Sequence, residues 1–283
     1  MGTQEKTNQN ADEKALDRIF CGLPYGFSSF EAVRGRLIDC RAKARLPRDA
    51  RTVISVLFPY YLGEACYERA NVSRYAVSAD YHLITGRIME RVAADLRETF
   101  PDNVFEYFVD NSPLPEVRCA VNAGLGVLGK NALFINPVYG SWVFLGELVT
   151  DRYFPPAAPQ ETRCVGCGKC ARACPVGAIG ENGIERERCL SFLSQKKGEL
   201  PPEVAEKMRA YNCAWGCDIC QKVCPMNASP ALTPIEAFFE TARPFVRPGD
   251  EVEGRAFAWR GKQVIERNLA VFEAAGPNAG KEE

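Results

Sequence analysis

Nine of the chain's 13 cysteines lie between Cys164 and Cys224. The first run reads Cys164-Val-Gly-Cys167-Gly-Lys-Cys170-Ala-Arg-Ala-Cys174-Pro175. The second closes as Cys213-Ala-Trp-Gly-Cys217-Asp-Ile-Cys220-Gln-Lys-Val-Cys224-Pro225. Three cysteines at two-residue intervals, a fourth after three more residues and then a proline is the spacing that holds 4Fe-4S clusters in pairs. The first three thiolates hold one cube and the fourth points away to serve the other. Cys217, Cys220 and Cys224 supply the complementary ligands. Disulfides are a poor explanation, because residues Met1 to Lys14 are polar and carry no apolar signal segment. That predicts a cytoplasmic chain, where disulfides are rare. A zinc ribbon needs two C-x2-C pairs about 15–20 residues apart. Cys167 and Cys217 are much further apart, and the third cysteine of each run would be unused. Buried structural thiols do not account for two cysteine-proline runs. Two 4Fe-4S clusters remain, and with them one-electron chemistry.

Three other stretches carry chemistry-bearing residues. Asp110 stands in Tyr107-Phe-Val-Asp-Asn-Ser-Pro113, at the end of an expected strand. One reading is a turn-forming cap for the next helix, with Ser112 as the other candidate. The other is a proton donor whose carboxyl is kept neutral by Phe108, Val109 and a buried planar cofactor. The residues alone leave both open. The single histidine, His82, rules out any mechanism that needs two. Asp80-Tyr81-His82-Leu83-Ile84-Thr85-Gly86 lies close to the D-x-H-x-x-G signature of cobalt ligation in corrinoid proteins, with the glycine one residue late. A lone helical histidine is more often a hydrogen-bonding or ligand-contact residue. Gly124-Leu-Gly126-Val-Leu-Gly129 matches a dinucleotide fingerprint, but a helix is expected before it and a strand after it, the reverse of what that fingerprint needs. Gly124 to Lys130 also fits a phosphate loop, except that Asn131 replaces the magnesium-binding hydroxyl. A glycine-rich reversal that lets backbone approach a flat ligand fits better, with Lys130 and Asn131 as polar contacts.

The elements that must position these residues follow from pattern. With 283 residues and 46% hydrophobic side chains the chain can bury a sizeable core. Its 35 basic and 36 acidic groups nearly cancel, which argues against coating nucleic acid. No apolar run reaches the roughly 18 residues of a membrane span. Capping signals predict a helix from about Ser28 to Arg45. Strands are expected at Thr52 to Phe58, Val104 to Val109, Ala132 to Ile135 and Ser141 to Val149, the last two as a hairpin through Asn136 to Gly140. Helices are expected at Ala79 to Thr99, Pro113 to Asn122, Pro201 to Tyr211, Thr233 to Thr241 and Gly261 to Ala274. Residues 1–14 and 276–283 read as loose ends. The alternation before residue 155 implies an α/β layer domain with sites at strand ends.

Together these residues resemble the epoxyqueuosine reductase family, the cobalamin-dependent iron–sulfur enzymes of queuosine biosynthesis. The resemblance rests on Ser73-Arg74-Tyr75-Ala76, Asp80-Tyr81-His82, Val109-Asp110-x-x-Pro113-x-x-Glu116, Ala123 through Asn131, Gly140-Ser141-Trp142, Leu145-Gly-Glu147, the cysteine runs with Cys189-Leu-Ser-Phe-Leu between them, and Arg267-Asn268-Leu269. It implies an α/β (α+β) cobalamin-binding domain over 15–155, a two-cluster 4Fe-4S ferredoxin-like domain over 156–230 and a short helical tail over 231–283. One cluster falls to Cys164, Cys167, Cys170 and Cys224. The other falls to Cys174, Cys189, Cys217 and Cys220, leaving Cys213 spare. The catalytic aspartate falls on Asp110. Cobalamin contacts fall on Arg74, Tyr75, Asp80, Tyr81, His82, Asp110, Lys130, Asn131, Ser141 and Trp142, with the base off and no protein ligand to cobalt.

The implied activity is the reduction of epoxyqueuosine to queuosine in tRNA, fed by an external low-potential donor of the flavodoxin or ferredoxin type. The 59 residues after Cys224 are too few for the family's helical-repeat region that grips the anticodon arm, so the cofactors carry over more directly than the tRNA partner. Arg243, Arg247, Arg255, Arg260, Lys262 and Arg267 give the tail a basic bias, read either as phosphate contacts or as a solvated face. The rival readings are a reductive dehalogenase-like cobalamin enzyme acting on a small molecule and a non-catalytic ferredoxin-type electron carrier.

Overall fold

The computed structural model describes residues 12–158, 163–181 and 183–273. The chain packs as two compact units, each discontinuous in sequence. The first comprises Met1–Pro59, Thr85–Leu128 and Val143–Arg163. The second comprises Tyr60–Ile84, Gly129–Trp142 and Cys164–Glu283. The linear borders at 155 and 230 expected from composition cut across these units, because two early segments pack in the same unit as the cysteine region.

The first unit is built on four strands: β1 (Tyr25–Ser29), β2 (Thr52–Pro59), β3 (Phe105–Val109) and β4 (Val143–Thr150). They pair antiparallel in the order β1-β2-β4-β3, so the mixed fold is of the α+β kind. Both faces are covered. For that reason β2 is buried at every position, and it reads as a continuous β-branched and apolar run. On one face Val53, Phe108 and Val149 pack with Phe30, Val33, Leu114 and Cys119. The helix Glu116–Asn122 lies there against β1, β2 and β4. On the other face the helix Tyr81–Thr99 brings down Met89, Val92 and Leu96, none with any exposed surface. Gly146 of β4 lies under that helix: a Cβ there would sit 2.9 Å from the Phe58 ring, so the strand tolerates no side chain at the crossing.

The helix expected from Ser28 to Arg45 is absent. Its first residues form β1, held by pairing from Tyr25↔Val56 to Ser29↔Thr52, and only Glu31–Arg34 and Arg41–Arg45 make short helical turns. Tertiary pairing outweighs the local capping signal. The hairpin through Asn136 to Gly140 is partly realised. The two residues exchange backbone hydrogen bonds of 2.8 and 2.9 Å, and the Asn136 carboxamide accepts from the Val138 and Tyr139 amides. The strand that follows, β4, pairs with β2 and β3 instead of returning along the turn.

In the second unit the short helices Lys169–Ala173 and Ile219–Lys222 pack together beside the cysteine loops. Leu190, Val204 and Met208 form a small core with Val176, Leu193, Leu200 and Cys217. Proline at the start of Pro202–Ala210 and the apolar face of Lys262–Glu273 match the sequence pattern. Of the ends expected to be loose, 1–14 and 276–283, residues 1–11 and 276–283 lie outside the described residues, while residues 12–14 are helical. Among the described residues no helix is long and apolar enough to cross a membrane.

Candidate functional site

The cysteines gather in two sets. The thiol of Cys224 is pushed up by burial and by Cys164, Cys167 and Cys170 beside it. The thiol of Cys220 is pushed up to about 12 by burial first, against a lowering hydrogen bond from Asn131, with Cys189 and Cys170 adding repulsion. Cys217 is raised by burial, with Cys220 nearby. Cys170 thus neighbours both Cys224 and Cys220, so the last cysteines of the two runs lie in one cluster region. The donor set fits iron–sulfur chemistry. All nine cysteines of the region are free, and a 4Fe-4S cube takes four thiolates spread over its corners. Cys213 is also a charge neighbour of Cys217. It is buried, its thiol lies 3.2 and 3.3 Å from the carbonyls of Trp215 and Gly216, and burial raises it to about 12. It acts as a small buried donor beside the second run.

Side chains that sequence spacing alone did not explain fix the cysteine loops. Asp218, between Cys217 and Cys220, is buried and accepts from the Ser73 hydroxyl at 2.5 Å and the Arg74 amide at 2.7 Å. Burial raises its carboxyl and these two donors oppose the rise. Asn227 accepts from the Ser141 amide at 2.8 Å and donates to the Ser141 hydroxyl and the Gln221 carbonyl. Ser141 in turn donates to Gln221 at 2.9 Å. Asn268 donates to the carbonyls of Ser194 and Ala214, tying the strand of chain after Cys189 to the one after Cys213. Arg267 donates to the carbonyls of Ser194, Lys196 and Gly198. Arg255 is buried and donates to Ala76, Val77 and Arg243. Two of the basic tail residues therefore act inside the fold.

The residues predicted to contact the corrin separate into two kinds. Tyr75 accepts at its hydroxyl from the Trp215 indole at 2.7 Å. Asn131 and Ser141 bond within the second unit as above. Arg74 pairs with Glu64 at 2.5 Å and lies over the rings of Tyr61, Tyr67 and Trp142. Its Nε and the indole nitrogen of Trp142 are nevertheless buried with no acceptor among the described residues. Such orphaned donors suit the amide and phosphate oxygens of a corrinoid. His82 places Nδ1 2.7 Å from Asp80, stacks on Tyr81 and is 40% exposed at its side chain. Lys130 is exposed. The glycine-rich run is followed by a turn and the two-residue strand Phe134–Ile135, so the nucleotide fingerprint has no helix to complete it.

In the first unit Asp110 follows the last residue of β3. It and Asn111 adopt left-handed φ values of 49° and 44°. Non-glycine residues enter that region at a cost, most easily Asn and Asp. The Asn111 amide donates to the Asp110 carboxylate at 2.8 Å, and Asp110 is exposed. The cap role for the next helix falls away, because Glu116–Asn122 starts after Pro115, and the Ser112 hydroxyl accepts from the Leu114 amide. Sequence reasoning gave no role to Glu147. It is fully buried in β4, and neither carboxyl oxygen has a partner among the described residues. Burial above all, then Glu116 and Asp110, raise its carboxyl far above the ordinary range. The available signal was a single glutamate in the otherwise apolar run Val-Phe-Leu-Gly-Glu-Leu-Val.

Comparison with known proteins agrees with this arrangement. Residues 163–227 match a 4Fe-4S double cluster binding domain, and residues 41–111 match the family described as epoxyqueuosine reductase QueG, DUF1730. An epoxyqueuosine reductase of Bacillus cereus is 34% identical over 253 residues, covering 80% of this chain and 65% of that protein. One of Lactococcus garvieae is 33% identical over 255 residues, covering 82% and 71%. A crystal structure of epoxyqueuosine reductase with a tRNA-Tyr epoxyqueuosine-modified tRNA stem loop superposes with a TM-score of 0.75 at 26% identity, covering 94% of this chain and 81% of that one. The chain thus spans just under two thirds of the Bacillus cereus relative and somewhat more of the Lactococcus garvieae one, and with two 4Fe-4S clusters assigned to its cysteine module it belongs to the epoxyqueuosine reductase family.

Proposed function

We propose that this protein is a cobalamin- and 4Fe-4S-dependent reductase that converts epoxyqueuosine to queuosine in tRNA. The observation that carries the reading is the cysteine region matching a 4Fe-4S double cluster binding domain over residues 163–227, in which Cys164, Cys167 and Cys170 neighbour Cys224 and Cys189 and Cys170 neighbour Cys220. The relative solved with an epoxyqueuosine-modified tRNA stem loop supports the substrate. The reading carries with it a cytoplasmic setting and a small low-potential electron donor.

The chemistry sets what each residue has to do. Removing the epoxide oxygen to leave an alkene consumes two electrons and two protons and releases water. The eight cluster cysteines would hold the two clusters, which supply electrons one at a time. Cobalamin, when bound, supplies the reduced metal centre that makes a two-electron step at carbon accessible. Arg74 Nε, Trp142 Nε1 and Lys130 are the donors that would hold it. Asp110 gives its proton to the departing oxygen as charge develops there. Its left-handed backbone holds the carboxyl at the strand end. Anaerobic incubation of the reconstituted protein with an epoxyqueuosine-modified tRNA stem loop and a chemical reductant is expected to yield queuosine, read by mass spectrometry. No conversion by protein loaded with both clusters and cobalamin would overturn the substrate assignment.

A further inference from the structure

The reaction proposed above needs two protons for each epoxide, and Asp110 carries one. We propose that Glu147 is the second acid, a buried carboxyl that reprotonates Asp110 within a single turnover. The inference rests on the reductase reading for its turnover arm alone.

Position comes first. Glu147 stands directly across from Phe108 in the β3–β4 pairing, and Asp110 lies two residues beyond Phe108. Asp110 itself lies just past the last paired residue of β3, Val109, and its charge reaches Glu147. Glu147 also stands across from Ser55 of β2, whose hydroxyl is likewise buried with no partner among the described residues. Buried polar groups that only stabilise a fold are almost always bonded. Here a carboxyl and a hydroxyl sit side by side at the centre of the sheet with neither bonded.

Charge comes second. The groups facing Glu147 are Glu116 and Cys119 on the helix Glu116–Asn122 and Asp110 on the loop after β3. Arg118 reaches this set through Cys119. None of the nearest groups is a cation paired with Glu147, so burial above all favours its neutral form at neutral pH.

The transfer balances. Asp110 O–H breaks as the departing oxygen gains its first proton. Glu147 O–H then breaks and Asp110 O–H re-forms, and Asp110 passes this second proton to the same oxygen, which leaves as water. Glu147 remains as a carboxylate until solvent reloads it on product release. The final acceptor is an alkoxide and then a hydroxide, whose conjugate acid water has a pKa of about 15.7, so the net transfer from a carboxylic acid runs downhill.

Two measurements test this. Infrared difference spectra of the holoprotein, titrated from pH 5 to 9, are expected to show a protonated carboxyl band at pH 7 that is lost in Glu147→Gln. Its midpoint should move to lower pH in Asp110→Asn and in Glu116→Gln, which leave Glu147 in place. In turnover, Glu147→Gln should lower kcat about 10- to 100-fold with KM unchanged. Its rate should fall as pH rises, because solvent must now supply the second proton, and Glu147→Asp should restore part of the rate. A missing band, a midpoint indifferent to Asp110→Asn, or wild-type turnover in Glu147→Gln would overturn the proposal. If the wild type converts no epoxyqueuosine, the reductase reading fails, while the infrared arm still decides whether Glu147 and Asp110 are coupled.

Discussion

Asp110 and Glu147 show two ways in which a strand end acquires chemistry. Asp110 is set by backbone: two successive left-handed residues turn the chain sharply and leave its carboxyl exposed. Glu147 is set by burial, which keeps a proton on it. The second has a consequence for stability. In the unfolded chain a glutamate releases its proton near pH 4.3. Folded Glu147 keeps it to a much higher pH. Between these limits the folded state binds more protons than the unfolded one, so stability falls as pH rises. Glu147→Gln has no proton to lose. Its melting temperature relative to wild type is therefore expected to climb between pH 5 and pH 8, by differential scanning fluorimetry on anaerobic holoprotein, and a constant gap would contradict this. Asp110 was visible in the sequence as a polar residue after an apolar run, although its cap and acid roles could not be separated there. Glu147 was visible only as a quoted motif residue, because its lack of partners is a property of packed strands and not of local sequence.

At the scale of elements, the cysteine loops hold their shape through side chains far away in sequence. Gly216 has φ of 78°, and a Cβ there would strike Ser73. Gly216→Ala is expected to cost about 1–3 kcal/mol and to lower iron occupancy, measured by thermal melting and iron assay. An unchanged melting point would contradict the close approach. Asp218→Asn keeps the volume but leaves the Ser73 hydroxyl or the Arg74 amide badly matched, a loss of about 1–3 kcal/mol, visible in the same assay. The sequence showed the helix between the two cysteine runs and where the long helix runs, because apolar periodicity and proline record them, whereas the short helices Lys169–Ala173 and Ile219–Lys222 were not visible there. It misread the segment from Ser28 to Arg45, where the capping residues Ser28 and Ser29 in fact pair with Val53 and Thr52. Strand pairing between residues 23 or more positions apart leaves no local trace.

Across the whole molecule, the proposed partition gives eight of the nine cysteines between Cys164 and Cys224 to two clusters and leaves Cys213 over. Cys213→Ser is expected to retain about eight irons per chain and Cys189→Ser about four, by anaerobic reconstitution and iron assay. Equal loss in both would contradict the partition. The cluster count was legible from spacing alone, since ligand geometry constrains it. The two discontinuous units were not, because Tyr60–Ile84 and Gly129–Trp142 join the cysteine region through burial and long-range hydrogen bonds such as Ser73 to Asp218 and Ser141 to Gln221. The most direct test of the account is a single-turnover comparison of wild type and Asp110→Asn, both carrying about eight irons and cobalamin, on an epoxyqueuosine-modified tRNA stem loop. Asparagine tolerates the left-handed backbone, so the variant should keep its cofactors and melting temperature. The account predicts queuosine from the wild type and a rate at least about 100-fold lower from the variant. Equal rates from both proteins would contradict it.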